Sequence, residues 1–542
     1  MPTSVQPDAA CPAPKVEQYV TEYFQVRTHS QPENPFAVLI PDQKIAIIPQ
    51  FTLESGVTLH NVPVAYTTRG TLSPNGDNAM VICHALTGSA DVSDWWGPLL
   101  GGPGRSFDTS RFFIVCMNSL GSPYGTASPV TSKDNDPNNG SYGPEFPLTT
   151  IRDDVRLHKM LLDDLGIRQI AAVIGGSLGG MFVLEWAYFG SKYIRCIVPI
   201  ATSSRHSAWG ISWGEAQRQS IFGDPKYDDG YYSFDDPPST GLGAARMSAL
   251  LTYRSRDSFE ARFGRNIPDA SKKQTIAQAH PLSNTPNEAH FHNHNEGHKI
   301  KSTAQSRNGA GSPVSPVDQP QTTSSATNSS PTAATNSIAA ATAEINSIAA
   351  ASLDDLIPSA DPQFHGPQRT SATANAKPSL TGGDAPHPAT TTYFSAQSYL
   401  RYQGQKFVKR FDTNCYIAMT RKLDTHDVSR GRADSISEAL AMIEQPTLVL
   451  GIESDGLFTF AEQQELAAHI PNARLERIDS PEGHDAFLLQ FEQVNRYVLS
   501  FLKEVLPDIM DKEGNVVEAE GVGKLIKSSV FGEAEVEDIT AW

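Results

Sequence analysis

Residues 170–181 read IAAVIGGSLGGM, an apolar run that stops at glycines placed on both sides of one serine. Within it, residues 175–179 fit the pattern G-x-S-x-G, with a predicted strand before (170–174) and a predicted helix after (181–188). Small neighbours allow a tight strand-to-helix turn that exposes the Ser177 hydroxyl at a helix N-terminus. We therefore predict that Ser177 is a nucleophile. The alternative is a glycine-rich turn that only packs the helix against the strand.

Apolar, β-rich segments alternate with helical patterns from about residue 45 onward. Residues 149–167 have apolar side chains at helical spacing and end at Gly166. The predicted strands are residues 44–49, 79–85, 112–118, 170–175, 195–201 and 446–454. This alternation predicts an α/β protein with a mostly parallel, doubly wound sheet.

The composition changes between about residues 266 and 390, where Ser, Thr, Ala, Asn and Pro dominate and residues 312–352 contain no aromatic side chain. Such a segment buries too little apolar surface to offset its ordering entropy, so we expect most of it to be disordered. We predict a first core part at 45–215, a helical lid region with this insertion at 216–420, a second core part at 421–507 and a tail at 508–542.

The overall composition argues against several classes of protein. The formal net charge of −17, without any compensating basic block, argues against a nucleic-acid or anionic-membrane binder. The first residues lack the features of a signal peptide, and no stretch approaches the ~20 apolar residues that span a bilayer. We expect a cytoplasmic protein that binds neither nucleic acid nor membranes, with an organellar address left open.

Scattered cysteines and histidines raise the question of disulfides and metals. Five cysteines without paired spacing indicate reduced, mostly buried thiols. Five histidines lie just inside the polar insertion, but their spacing matches no standard ligand set, so we expect no metal site. These histidines are His280, His290, His292, His294 and His298.

A serine nucleophile needs a base, and the base needs an orienting group. In chains with a serine on such a strand-to-helix turn, the three residues follow in the order Ser, Asp or Glu, then His. Asp455, after a predicted strand, and His484, in SPEGHDAF, satisfy this order. The oxyanion should be bound by the N–H groups of Leu178 and of Leu86, in the loop after an earlier strand. The alternatives are a turn-forming Asp, a surface His and an ordinary apolar anchor at Leu86.

Eight segments, taken in order, closely resemble the homoserine O-acetyltransferase family in its fungal form. They cover nearly all of the chain predicted to be ordered, and residues 266–390 lie outside them. The segments are HALTGSADVSDWWGPLLG, NSLGSPYGTASP, YGPEFPLTTIRDDVRLHKMLLDDLGI, GGSLGGMFVLEWA, GLGAARMSALLTYRSRDSFEARFGR, SYLRYQGQKFVKRFDTNCYIAMTRKLDTHDVSRGR, ESDGLF and GHDAFLL.

The resemblance implies an α/β-hydrolase fold with a helical lid and a ping-pong reaction in methionine biosynthesis. Ser177 would take the acetyl group from acetyl-CoA and give it to L-homoserine. Acetyl-CoA would be a co-substrate, and no cofactor would be needed. His484 would be base and acid, and Asp455 would orient it. Arg246 would bind the homoserine carboxylate, and Asp485 would bind its ammonium group. The alternative for Arg246 is a salt bridge within the lid, and the alternative for Asp485 is a helix N-cap. The family also implies a homodimer through lid helices.

Two departures from the family leave alternatives open. Leu178 stands where the family usually has Met, a volume-conserving change that keeps the backbone N–H in place. The long polar tract enlarges the lid region. Close relatives acylate serine, use succinyl-CoA or acetylate a cephalosporin precursor, so a serine acetyl- or succinyltransferase of the same family is an alternative. A plain serine esterase and a non-catalytic hydrolase-fold protein that uses the insertion as an interaction tail are further hypotheses.

Overall fold

The computed structural model describes residues 25–28, 31–40, 42–267, 290, 293–298 and 394–514. The chain divides into two compact units, Met1–Leu282 together with Thr391–Trp542, and Ser283–Thr390. Most of the predicted insertion and of the predicted tail lies outside the described residues. In the second unit, residues 293–298 form a turn in which the His298 N–H donates to the Asn295 carbonyl at 2.9 Å.

A nine-stranded sheet is the centre of the first unit, in the order β1-β2-β3-β7-β4-β8-β9-β10-β11, and β5 pairs with β6 separately. The strands are β1 (Gln25–Thr28), β2 (Lys44–Thr52), β3 (Thr58–Arg69), β4 (Ala79–Cys83), β5 (Leu100–Gly101), β6 (Phe107–Asp108), β7 (Phe113–Met117), β8 (Ile170–Gly176), β9 (Ile194–Ile200), β10 (Thr447–Ile452) and β11 (Ala473–Ile478). From β7 to β11 all pairs are parallel, whereas β1, β2 and β3 are antiparallel to their neighbours. The predicted mostly parallel sheet is confirmed.

The central strands are apolar on both faces because both faces are covered. Alternate residues of β4 and β8 belong to two different apolar clusters, Val81 and Val173 to one and Ile82 and Ile174 to the other. Since successive side chains of a strand point to opposite faces, the two clusters are the two sides of the sheet. The predicted doubly wound arrangement follows from this division.

Helices connect the strands and cover both faces. The described helices of four or more residues in the first unit are α1 (Val92–Trp96), α2 (Ile151–Asp164), α3 (Leu178–Ala187), α4 (Ala208–Phe222), α5 (Ser239–Tyr253), α6 (Arg256–Arg262), α7 (Ser395–Phe407), α8 (Thr413–Asp424), α9 (Ile436–Ala441), α10 (Phe460–His469), α11 (Ala486–Leu489), α12 (Phe491–Val505) and α13 (Pro507–Met510). Among the helices that the structure describes, none is both long and apolar enough to cross a membrane.

Helices α4 to α8 fall between β9 and β10, where the sequence predicts a helical region. Helix α4 packs against α5 and α8, and α5 packs against α7. Their inward residues, among them Leu242, Phe407 and Tyr416, join the apolar cluster on one face of the sheet. This group of helices therefore shares the hydrophobic core of the sheet.

Candidate active site

Ser177 stands at the turn between β8 and α3 in a backbone conformation that side chains rarely adopt. Its φ is 60° and its ψ is −125°. The Ser177 N–H donates to the Ile200 carbonyl at 2.9 Å, and the Thr202 hydroxyl donates to the Ser177 carbonyl at 2.9 Å. A non-glycine residue at positive φ costs free energy and persists only where its surroundings hold it. These two bonds hold the serine in its strained turn.

The glycines around Ser177 each leave room for a specific neighbour. A Cβ at Gly175 would lie 2.5 Å from the Gly179 carbonyl oxygen, and one at Gly179 would lie 2.2 Å from the Cys83 carbonyl oxygen. A Cβ at Gly176 would meet the Phe487 ring at 2.4 Å, and one at Gly180 would meet the Thr202 side chain at 2.6 Å. The turn therefore forms only because these positions carry no side chain.

Asp455 and His484 form a buried hydrogen-bonded pair. His484 Nδ1 lies 2.7 Å from Asp455 Oδ2, and the other carboxylate oxygen accepts the N–H groups of Leu457 at 2.8 Å and Phe458 at 3.0 Å. Asp455 follows β10, and His484 lies in a 3-10 turn after β11. A histidine that donates from Nδ1 to a carboxylate is in the tautomer whose Nε2 carries a lone pair, and that nitrogen can act as a base.

One cavity of about 1040 Å³, part of it open to solvent, is lined by Ser177, His484, Asp485 and Leu86 together. Asp455 is not among the lining residues, in keeping with its burial behind the imidazole. Apolar side chains such as Trp95, Trp213, Phe458, Phe487 and Leu488 share the lining with polar ones, Asp94, Gln217 and Arg410 among them. A concave site that combines apolar walls with polar groups is typical of small-molecule binding.

The two candidate oxyanion donors lie on neighbouring segments. Leu178 is the first residue of α3, and the first N–H groups of a helix have no partner within it. Leu86 follows β4, and the contact between Gly179 and the Cys83 carbonyl brings that loop against the serine turn. The Leu86 side chain also packs on the apolar core, as expected of an apolar anchor. Its two predicted roles are therefore compatible.

The two residues predicted to bind the acceptor occupy different positions. Arg246 is 1% exposed and is not among the residues that line the cavity; its guanidinium lies 4.8 Å from the Phe407 ring centroid and 5.5 Å from that of Tyr253. Tyr253 does line the cavity, so Arg246 lies behind the cavity wall and contacts a residue of that wall, Tyr253. Asp485 lines the cavity and makes no N-cap hydrogen bond.

Arg254, which the sequence analysis did not single out, connects the end of α5 to the loop that carries His484. Its Nε lies 2.8 Å from Asp485 Oδ2 and its Nη1 lies 2.5 Å from Glu482 Oε2. These two carboxylates flank Gly483 and His484. In the sequence, the position directly after Tyr253 in the segment TYRS is the one feature that could have marked Arg254. The local pattern does not indicate that its acidic partners lie beside it.

Burial keeps His206 neutral near pH 7 and raises the pKa of the buried thiols. Desolvation lowers the pKa of His206, which lines the cavity, to about 4. The cysteines Cys83, Cys116, Cys196 and Cys415 are free and buried, as predicted, and Cys11 lies outside the described residues. In the parts of the chain that the structure describes, no group of three or more His, Cys, Asp or Glu could hold a metal. His280 and His292 lie outside those parts.

The geometry can perform acyl transfer through a serine. The cavity holds the Ser177 hydroxyl, an imidazole oriented by a carboxylate, and two candidate N–H donors for an oxyanion. The same arrangement serves esterases and acyltransferases, which differ in whether water or another hydroxyl accepts the acyl group.

Comparison with known proteins identifies the family. A family model described as alpha/beta hydrolase fold matches residues 78–322. A homoserine O-acetyltransferase from Emericella nidulans is 65% identical over 525 residues, which cover 95% of this chain and 98% of that protein. This agrees with the eight segments that pointed to the same family.

Solved structures confirm the fold. A homoserine O-acetyltransferase from Bacillus anthracis has a TM-score of 0.57 at 17% identity and covers 85% of this chain and 97% of its own. The esterase E22 has the same TM-score of 0.57 at 19% identity and covers 85% of this chain and 99% of its own. The predicted α/β-hydrolase fold is therefore confirmed, and on the strength of the 65% identity the chain belongs to the homoserine O-acetyltransferase family.

Proposed function

We propose that this chain transfers the acetyl group of acetyl-CoA to the hydroxyl of L-homoserine through an acetyl-Ser177 intermediate, in methionine biosynthesis. The observation that carries the proposal is the 65% identity, over 95% of the chain, to a protein named homoserine O-acetyltransferase. The cavity that joins Ser177 to the imidazole of His484 supports the mechanism.

In the first half of the reaction, His484 Nε2 takes the proton of the Ser177 hydroxyl as Oγ attacks the thioester carbonyl of acetyl-CoA. The N–H groups of Leu178 and Leu86 stabilise the negative charge that develops on the carbonyl oxygen. His484 then gives its proton to the departing CoA sulfur. The products are free CoA and a serine ester.

In the second half, the homoserine hydroxyl takes the place of CoA. His484 removes its proton, the hydroxyl oxygen attacks the serine ester, and the proton returns to Ser177 Oγ as O-acetylhomoserine leaves. Asp455 stabilises the imidazolium that forms in each half and fixes the ring orientation through its 2.7 Å bond to Nδ1. Asp455 thus acts through His484 and positions it.

Recognition of the amino-acid acceptor is proposed to use Asp485 and Arg246. The carboxylate of Asp485 borders the cavity and would hold the ammonium group while it remains paired with Arg254. Arg246 lies behind Tyr253, so the acceptor carboxylate would have to reach it past that ring. A guanidinium fork suits a carboxylate, and burial strengthens the attraction.

The setting of the enzyme is also part of the proposal. Acetyl-CoA is a co-substrate, and the serine chemistry needs no resident cofactor. We propose a cytoplasmic location. We propose a homodimer through the lid helices α4 and α5, whose Trp209 and Leu251 are 56% and 51% exposed and would be covered in it. Light scattering of the purified protein tests the dimer.

An acceptor panel tests the proposed reaction. Purified protein is given acetyl-CoA with L-homoserine, L-serine or water alone, and CoA release is followed; a second series replaces the donor by succinyl-CoA. We expect fast release only with acetyl-CoA and homoserine. Equal or faster turnover of serine would identify a serine acyltransferase. Hydrolysis unaffected by homoserine would identify an esterase, and absence of turnover with every pair would point to a non-catalytic protein.

A further inference from the structure

The loop after β4 carries a chain of hydrogen bonds that leads to the peptide group of Leu86. Arg410 Nη1 donates to the Thr87 carbonyl at 3.1 Å. The Gly88 N–H donates to the Ala85 carbonyl at 3.0 Å. His84 Nδ1 lies 2.8 Å from the same Ala85 oxygen. The carbonyl groups of the residues before and after Leu86 are therefore both held.

The hydrogen-bond partners of His84 assign its tautomer. The Ser119 N–H points at His84 Nε2 at 3.1 Å, so Nε2 is the acceptor and the proton lies on Nδ1. Burial lowers the pKa of His84 to about 4, which keeps the ring neutral near pH 7. His84 therefore donates to Ala85 O from a neutral ring near pH 7.

Peptide planarity links these bonds to one another. The Thr87 carbonyl and the Gly88 N–H belong to one peptide group, and the Ala85 carbonyl and the Leu86 N–H belong to another. In a trans peptide the C=O and N–H point in opposite directions, so a held carbonyl fixes the direction of the N–H. Because successive hydrogen bonds polarise one another, the charge of Arg410 strengthens each donor along the series that ends at Leu86 N–H.

Arg410 is itself firmly held on the lid side of the cavity. Its side chain is buried, Nη1 also contacts the Tyr124 hydroxyl at 3.2 Å, and that hydroxyl donates to the Arg410 carbonyl at 2.9 Å. The guanidinium lies 4.9 Å from the centroid of the Phe407 ring. Arg410 belongs to the segment between α7 and α8, so the bond to Thr87 joins the lid helices to the loop of the core.

The loop lies against the serine turn. Cys83, the last residue of β4, pairs with Gly175 of β8, and its carbonyl is the atom that a Cβ at Gly179 would strike. Leu86 and Thr87 line the same cavity as Ser177. The series of bonds therefore ends beside the hydroxyl at which an oxyanion would form.

Taking the function proposed above as given, we propose that His84 and Arg410 are positioning residues of the oxyanion site. His84 fixes the Ala85–Leu86 peptide so that its N–H faces the acyl oxygen. Arg410 holds and polarises the neighbouring peptide from the segment between α7 and α8. His84 does not line the cavity, and Arg410, which does, acts in this proposal through the Thr87 carbonyl.

The test uses the first half of the reaction alone, with no amino-acid acceptor. The full-length protein and four variants react with 4-nitrophenyl acetate and with its thiono analogue, in which sulfur replaces the carbonyl oxygen. The variants are His84→Leu, His84→Asn, Arg410→Met and Arg410→Lys. Asparagine keeps an N–H donor near the position of Nδ1, and lysine keeps the positive charge. The acylation rate at saturation, KM and the oxygen-to-sulfur rate ratio are measured.

We expect His84→Leu and Arg410→Met to lower the acylation rate by about 10- to 100-fold with little change in KM. The oxygen-to-sulfur rate ratio should fall together with the acylation rate, because sulfur accepts hydrogen bonds poorly and gains little from an oxyanion site. His84→Asn and Arg410→Lys should recover much of the acylation rate and much of the ratio. His426→Asn is the matched control, a buried histidine that bonds the Ser203 carbonyl and does not line the cavity; it should leave the ratio unchanged.

The inference is overturned if folded His84→Leu and Arg410→Met keep the wild-type ratio, or if the conservative variants lose as much as the apolar ones. A variant that fails to fold is recognised by its melting curve, and its conservative partner then decides the outcome. Failure of the proposed function is a separate result, since it would show as acylation of wild-type Ser177 without transfer to homoserine.

Discussion

Asp455 and His484 are 29 residues apart in the chain, yet Oδ2 of the aspartate lies 2.7 Å from Nδ1 of the histidine. The carboxylate has little freedom, because its other oxygen accepts the backbone N–H groups of Leu457 and Phe458. A carboxylate held in this way fixes the ring orientation and the tautomer of His484, which lines the same cavity as Ser177.

Asp455→Asn should lower kcat for acetyl transfer by about 10³- to 10⁴-fold, because the amide no longer holds the required tautomer or stabilises the imidazolium. CoA release in the presence of homoserine measures the loss. Asp108→Asn is a suitable control, since Asp108 is equally buried and pairs with Arg111 away from the cavity. A similar loss of kcat in both variants would contradict the role of Asp455.

Gly176→Ala should destabilise the protein by about 1–3 kcal/mol, because the added methyl would lie 2.4 Å from the Phe487 ring. Phe487→Leu in the same chain should restore part of the lost stability by removing that contact. Gly179→Ala meets the Cys83 backbone carbonyl instead, so Phe487→Leu should not relieve it. Urea unfolding of the three single variants and the two double variants measures these differences. Equal rescue of both glycine variants would refute the assigned contacts.

Arg254→Met should lower the free energy of unfolding by about 3–5 kcal/mol, because the buried Asp485 would lose its cation, while Glu482 keeps its pair with Arg262. Arg254→Lys should lose less. Arg195→Met serves as a control, since Arg195 pairs with the exposed carboxylate of Asp508 and an exposed pair contributes about 1 kcal/mol or less. Urea unfolding distinguishes the cases, and equal losses for Arg254→Met and Arg195→Met would argue against the importance of this contact.

Stability should fall on acidification from pH 7.5 to 5.5. Burial lowers the pKa values of four histidines to about 4, 3, 4 and 4, for His84, His158, His206 and His426 respectively. The unfolded chain binds these protons near pH 6.5, so the contribution is complete above that pH and is lost as the pH falls toward 4. Each histidine adds up to about 1.4 kcal/mol per pH unit to the slope.

Urea unfolding at several pH values measures this slope for the wild type and for His426→Asn. Removal of one depressed histidine should make the dependence shallower, because one proton fewer is taken up on unfolding. An identical slope in the two proteins would contradict the assignment of His426 as a buried neutral group.

The sequence predicted the parts of the site that depend on local pattern. The turn at Ser177 follows from five residues and their flanking periodicity, and Asp455 and His484 follow from their order after predicted strands. Strands β1, β3, β5, β6 and β11 were not predicted. In β11, three of the six residues are charged, as is common in a strand at the edge of a sheet.

Contacts between distant segments were beyond the sequence. The bond between Arg254 and Asp485 depends on how the end of α5 packs against the loop after β11. The position of Arg246 behind Tyr253, and that of Arg410 on the loop after β4, depend in the same way on the packing of the lid helices. Periodicity and spacing carry no information about such contacts between distant residues.

The acetyl-enzyme tests the central claim most directly. The protein is mixed with acetyl-CoA, quenched and digested, and the peptide that contains Ser177 is examined by mass spectrometry, with and without a chase of L-homoserine. We expect one acetyl group on Ser177 before the chase, and its loss with formation of O-acetylhomoserine afterwards, in the wild type and not in Ser177→Ala. Acetyl transfer to homoserine by Ser177→Ala at the wild-type rate would contradict the mechanism.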